Sequence, residues 1–197
     1  LKALAAAGTR AEDAEIIQEV ASTIMAKLTL QEVLQYTNNR NIVLKRVAYR
    51  ALGVKGGNSG AVFDALSKGV KSKDEGIRAA SVLALGSFKN DKALKQVISL
   101  KEDTAGIVRR DVARALGNWP TGTETETLMN YLADGEGDVV EAAVSSLHKR
   151  GEEGAYKPIL QLTRGKAHPH PGVRKATLRA LVDLAPRKEL QTVISVL

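Results

Sequence analysis

A ten-residue string returns five times in this chain, at Leu44–Gly53, Ile77–Gly86, Val108–Gly117, Val139–His148 and Val173–Val182. The copies read LKRVAYRALG, IRAASVLALG, VRRDVARALG, VVEAAVSSLH and VRKATLRALV. With the first position called i, each has an aliphatic residue at i, a small or β-branched one at i+4, a small one at i+7 and leucine at i+8. Glycine stands at i+9 in three copies. The starts are 33, 31, 31 and 34 residues apart. An apolar pattern of helical spacing, renewed at that interval, predicts supersecondary units that bury their faces on one another rather than a closed core.

The 197 residues hold five to six such units, more than the roughly three an array needs. One repeat domain over 1–197 is therefore expected. Residues 1–40 form an atypical or truncated first repeat with an extra short helix, followed by repeats at 41–74, 75–105, 106–136, 137–170 and 171–197. Aromatic residues make up only 4%, so helices must interlock through Ala, Leu, Val and Ile. No run of eighteen apolar residues is present, which predicts no membrane-spanning helix. LKALAAAG at the start and LQTVISVL at the end lack the polar outer face that terminal repeats need. Both are expected to be excision points within a longer polypeptide.

Local signals mark the boundaries. Ala11–Leu28 reads as a helix. Thr29 and Glu32 stand in capping-box spacing before a short helix ending at Tyr36. Asn41 and Asp74 lie three residues before a motif start as N-caps, and Pro171 lies just inside the last motif helix. Gly53, Gly86 and Gly117 are expected to close motif helices in a left-handed conformation. Second helices are expected near Ser59–Val70, Asp91–Lys101, Glu124–Ala133, Glu152–Leu162 and from Pro186 onward.

The V-R-x-x-A-x-x-A-L-G string, clearest as Val108, Arg109, Val112, Ala115, Leu116 and Gly117, resembles the HEAT repeat in its short bacterial form. The resemblance covers about Asn41 to Leu197. It implies an all-α, right-handed α-solenoid of stacked helical hairpins. It also implies that the motif helices line the concave side, with Lys45, Arg78, Arg109 and Arg174 as ladder residues between units. The fourth copy departs, with Val140 and His148 at the arginine and glycine positions.

On a helical wheel the stripe i, i+4, i+7, i+8 is centred near i+4, so i+2 and i+6 are predicted to face away from the core. Those positions hold Arg46 and Arg50, Ala79 and Leu83, Arg110 and Arg114, Glu141 and Ser145, Lys175 and Arg179. Six of the ten are basic. Placed on a concave face, they predict a surface that attracts an acidic partner segment. The net charge of +7 is concentrated in two blocks, with 12 basic against 6 acidic residues over 41–105 and 10 against 6 over 137–197.

Catalytic chemistry is not expected. There is no cysteine, and no nucleophile elbow, phosphate loop or zinc-protease helix. Asp111 and Glu141 fall on outward faces by the same wheel. His168 and His170 lack a third metal ligand nearby in sequence, with only His148 and Glu153 to be brought in by folding, and read as part of a proline-broken loop. No cofactor and no metal are expected. Trp119 is expected to pack against a neighbouring loop, and Thr121–Thr127 to be a polar linker.

These readings predict a non-catalytic protein-interaction scaffold, or an accessory domain of a multidomain protein, which holds an acidic segment on Arg46, Arg50, Arg110, Arg114, Lys175 and Arg179. The alternative is a nucleic-acid-binding protein related to the HEAT-like DNA glycosylases. The i+2 and i+6 rows lack the aromatic and aspartate residues that resemblance would require. Bilin-lyase subunits are also similar in their short repeats, but no residue here marks a pigment site.

Overall fold

A computed structural model of the protein describes residues 11–57, 59–163, 168–189, 191 and 194. The expectations for LKALAAAG and for most of the final helix lie outside the described residues, apart from a 3₁₀ turn at Arg187–Glu189. Among the described residues there is no strand. In chain order the helices are α1 Ala11–Lys27, α2 Leu30–Tyr36, α3 Ile42–Lys55, α4 Gly60–Gly69, α5 Glu75–Leu85 and α6 Asp91–Ile98. They continue as α7 Gly106–Leu116, α8 Thr125–Asn130, α9 Gly137–Lys149, α10 Tyr156–Gln161 and α11 Pro171–Leu184.

The caps explain where these helices begin. Thr29 and Glu32 form the full capping box, the Thr29 N–H donating to the Glu32 carboxylate at 2.8 Å. The Asn41 side chain accepts from the Val43 and Leu44 N–H groups, and Asp74 accepts from Ile77 N–H. Two second helices are shorter than their sequence pattern and finish or start as 3₁₀ turns, at Tyr131–Ala133 and Glu153–Ala155.

The chain forms two compact units, Leu1–Gln96 and Val97–Leu197, with the boundary inside α6. In the first, α3 stacks between α1 and α5, while α2 packs on α3, and α4 on α5 and α3. In the second, α9 stacks between α7 and α11, with α8 against α9 and α7, and α10 against α11. Each unit is thus a layer of motif helices backed by a layer of shorter ones. Leu44, Leu52, Ile77 and Leu85 form the centre of the first core, and Val108, Leu116, Val139, Leu147, Val173 and Leu181 that of the second.

Gly86 and Gly117 close their helices as C-cap residues, as their position predicts, but not in the left-handed conformation. Gly53 lies inside α3, and Gly86 and Gly117 have right-handed backbones with φ of −56° and −60°. Among the described glycines, positive φ falls instead on Gly57, Gly122 and Gly151 in the loops. At Gly53 an added Cβ would sit 2.9 Å from the Ala84 Cβ, and at Gly117 it would sit 2.7 Å from the Ser146 hydroxyl. The glycine at i+9 therefore admits the small residue at i+7 of the next motif helix. Ser146 seals this contact by donating to the Ala113 carbonyl at 2.8 Å.

Gly69 gives the sharpest test of this packing, because a Cβ there would overlap the Ser81 hydroxyl and the Tyr49 ring. Gly69→Ala is expected to lower stability by about 1–3 kcal/mol through overpacking. Gly154→Ala, with nothing within 4 Å of its added Cβ, is expected to be neutral or slightly stabilising. Urea unfolding of the two variants measures the difference.

Candidate functional site

The arginine at i+1 folds back onto the loop that precedes its own helix. Arg78 Nη1 donates to the Ser72 and Lys73 carbonyls, Arg109 Nη1 to Asp103 and Thr104, and Arg174 Nη1 to His168 and Pro169. Each bond runs to the residues five and six positions earlier. Arg109 also grips Asp134 with Nε and Nη2 at 2.7 and 2.8 Å, tying α7 to the loop before α9. Lys45 occupies the same column, but its ammonium makes no such bond, since it lacks a planar fork of donors. The ladder is thus built by three of the four residues predicted for it.

The i+2 row is only partly the outward row the wheel predicts: Lys175 is exposed, while Arg46, Arg110 and Glu141 are half-buried and Ala79 is buried. Arg46 holds Asp74, the N-cap of α5, with Nε and Nη2 at 2.8 and 2.6 Å. Arg110 turns to Asp111 at 2.9 Å, and Asp111 is buried rather than solvated. Glu141 reaches His170, the N-cap residue of α11, at 3.6 Å from Nδ1. The single-stripe wheel fails because a helix stacked between two like helices and backed by a third is covered over a wider arc. Burial accordingly extends to i+3 and i+5, at Val47, Tyr49, Ala142 and Val144. A signal for this was present in the sequence: the residue at i+2 and the residue three before the next copy are complementary, as in Arg46 with Asp74 and Glu141 with His170.

What remains exposed on the motif helices is the line through i+6 and i+10. The first unit presents Arg50 and Val54 on α3, and Leu83 and Ser87 at α5. The second presents Arg114, Ser145 and Lys149, then Arg179 and Asp183, with Lys175 exposed beside them on α11. Arg114 retains one long contact, 3.5 Å to Asp111. In each unit a groove runs beside this line, about 300 Å³ between α1 and α3 and about 270 Å³ between α7 and α9.

The family described as HEAT repeats matches residues 30–117. HEAT repeats are thus recognised over that stretch of the chain. Its architecture is similar to a chain in the complex of CpcE and CpcF of phycocyanin lyase from Nostoc sp. PCC7120, at 22% identity and a TM-score of 0.65, over 80% of this chain and 65% of that one. This chain therefore spans just under two thirds of that relative's length. It is also similar to a designed armadillo repeat protein in complex with peptide (KR)4, at 16% identity and a TM-score of 0.53, over 86% and 88% of the two chains. A third similar structure is an engineered protein, at 17% identity and a TM-score of 0.53, over 92% and 94%. At these identities the likeness is one of fold, the α-solenoid. No curated protein matches the sequence.

Two polar clusters hold the helices of the second unit together. Glu152, buried beside Arg150, accepts from the Gly122 N–H and the Thr125 hydroxyl at 2.9 and 2.8 Å. The Thr121 hydroxyl donates to the Arg150 carbonyl at 2.6 Å. Burial opposes the charge on Glu152, yet the Gly122 N–H, the Thr125 hydroxyl and Arg150 hold its carboxyl below the usual carboxylate range. The segment read as a polar linker is therefore fastened at Thr121–Thr125. Trp119 is buried just before it, 7% exposed.

The other cluster supplies the partners that sequence reasoning sought at His148 and Glu153. Asp138, Glu141 and His170 place one ligand atom each within 4.8 Å of one another. By donor type they suit a divalent cation, but the ring is already bracketed, Nε2 facing Asp138 at 3.0 Å and Nδ1 facing Glu141 at 3.6 Å. His168 Nδ1 instead accepts from the His170 N–H. At the far end of the same helix pair, His148 meets Asp183 at 2.6 Å.

Removing Glu152 leaves a buried guanidinium whose side chain is only 2% exposed. Glu152→Ala is expected to cost about 3–5 kcal/mol, read by urea unfolding. Asp74 and Asp134 are held below the usual carboxylate range, first by the hydrogen bonds from Arg46 and Arg109. Their stabilisation is complete above the unfolded value, about 3.9, and is lost as pH falls through the lower folded one. Melting temperatures measured from pH 7 down to pH 3 are expected to fall less steeply at the acid end in Asp134→Asn than in the parent.

Proposed function

We propose that the chain is a non-catalytic interaction scaffold, binding an acidic segment of a partner or of a neighbouring domain along the exposed line of its motif helices. The observation that carries this reading is the division of labour among the arginines. Arg46, Arg109 and Arg110 are bonded to carboxylates, whereas Arg50 and Arg179 are exposed and have no ion-pair partner among the described residues. The binding residues on this reading are Arg50 in the first unit and Arg114, Lys175 and Arg179 in the second. Arg46 and Arg110 support the stack beneath them. On this reading the line lies on the concave side, as the resemblance to HEAT proteins implies.

The fold supports a scaffold. A designed armadillo protein of like fold is in complex with the peptide (KR)4; here Arg50, Arg114, Lys175 and Arg179 on the exposed line favour an acidic segment instead. The likeness to a chain of a phycocyanin-lyase complex fits a subunit that works through a protein partner. Nucleic acid is the weaker reading, since the exposed line carries no aromatic platform for bases and Trp119 is buried.

Binding of labelled polyglutamate and of a generic DNA duplex, measured over a salt series, tests the proposal. The triple variant Arg50→Glu, Arg114→Glu, Arg179→Glu is expected to weaken polyglutamate binding at least about tenfold, or roughly 1.4 kcal/mol, with helicity unchanged. Arg46→Glu is expected instead to lower the melting temperature. Undiminished polyglutamate binding by the triple variant would overturn the reading. Tighter binding to DNA, with a steep salt dependence, would replace it with the nucleic-acid one.

A further inference from the structure

The grooves beside the exposed line lie at equivalent places in the repeat, both lined by i+3, i+6, i+7 and i+10 of the downstream helix. In the second unit these are Ala142, Ser145, Ser146 and Lys149, with Glu141 beside them, so that groove is polar and mixed in charge. In the first unit they are Val47, Arg50, Ala51 and Val54, faced by Ser22 and Ala26 across the groove on α1. Val54 is 89% exposed, and together with Ala26 and Ala51 it forms an apolar trough. Its cationic rim is Arg50 and Lys55, and no carboxylate lines it. The Lys55 ammonium donates to the Leu28 carbonyl at 2.8 Å, which holds the side chain in place beside the trough.

We infer that the α1/α3 groove is a specificity subsite, taking one apolar side chain of a partner segment whose neighbouring residues are carboxylates. The inference rests on the acidic-partner reading above and adds to it a place and a side-chain class. An apolar floor gains from burying a leucine-sized group, and at about 300 Å³ the groove is at the low end of the ligand-pocket range, roughly 300–1,000 Å³. The cationic rim selects what flanks that group. A second copy of the chain is disfavoured as occupant, because net charges of +7 repel each other.

The test is an NMR titration of the full chain with three peptides. One has a central leucine between pairs of glutamates, the second has alanine in its place, and the third keeps the leucine between pairs of serines. The glutamate–leucine peptide is expected to bind about tenfold tighter than its alanine twin, and the serine peptide weakly. Ala26→Tyr, at an exposed position whose ring would fill the trough, is expected to erase the leucine advantage while leaving residual binding of both acidic peptides. Arg50→Glu is expected to weaken both. Equal binding of leucine and alanine peptides by the parent would overturn the subsite and leave the acidic-partner reading standing. Serine and glutamate peptides of equal affinity would remove the acidic reading and with it the subsite as stated. An unaltered leucine advantage in Ala26→Tyr, with its melting temperature preserved, would place the apolar contact elsewhere and overturn the inference.

Discussion

Everything in this chain follows from how closely one motif helix can lie on the next. Where Gly53 meets Ala84 and Gly117 meets Ser146, the absence of a side chain sets the distance between helix backbones. Close stacking lets a composition poor in aromatics reach full burial of its leucines and valines. It also brings the N-terminus of each helix within reach of its predecessor's side chains. Arg46 can pair with the N-cap Asp74 only because the two helices are that near, and Gly76 keeps room for the guanidinium, whose Nε lies 2.8 Å from where a Cβ would be.

This geometry separates charges that look equivalent in sequence. At Arg46 the i+2 cation is drawn into the seam between repeats, whereas Lys175 at the same position stays exposed. A cation at i+6 is left facing outward. The distinction is a matter of four residues, little more than one helical turn, and it decides which arginines can meet a partner. Replacing a seam arginine and replacing an outward one are thus different experiments, although a composition-based reading would group them.

The helix pattern was legible in the sequence almost throughout. Capping at Thr29, Asn41 and Asp74, proline at the start of α11, and the buried positions i and i+8 all follow from local chemistry that acts within one turn. What was not legible depends on neighbours. Gly86 and Gly117 do stop their helices, as local chemistry suggests, but the contacts that Gly53 and Gly117 admit about thirty residues away could not be read from the chain. Asp111 looked solvated because the wheel knows nothing of the helices on either side. His170 looked isolated because Asp138 and Glu141 come to it from the preceding repeat. Of the proposed surface, the i+6 residues could be read from the chain, while the groove between α1 and α3 could not, since half of it belongs to a helix outside the motif.

The threonine-rich segment after Trp119 shows how far composition and role can diverge. By its string of small polar residues it is where an engineer would cut or insert, as surface loop tips usually tolerate both. Its ends, however, are bonded to a buried ion pair in the following repeat, so it behaves as a strap across two hairpins rather than as slack between them. Extra residues placed there would have to break those bonds rather than be taken up as slack.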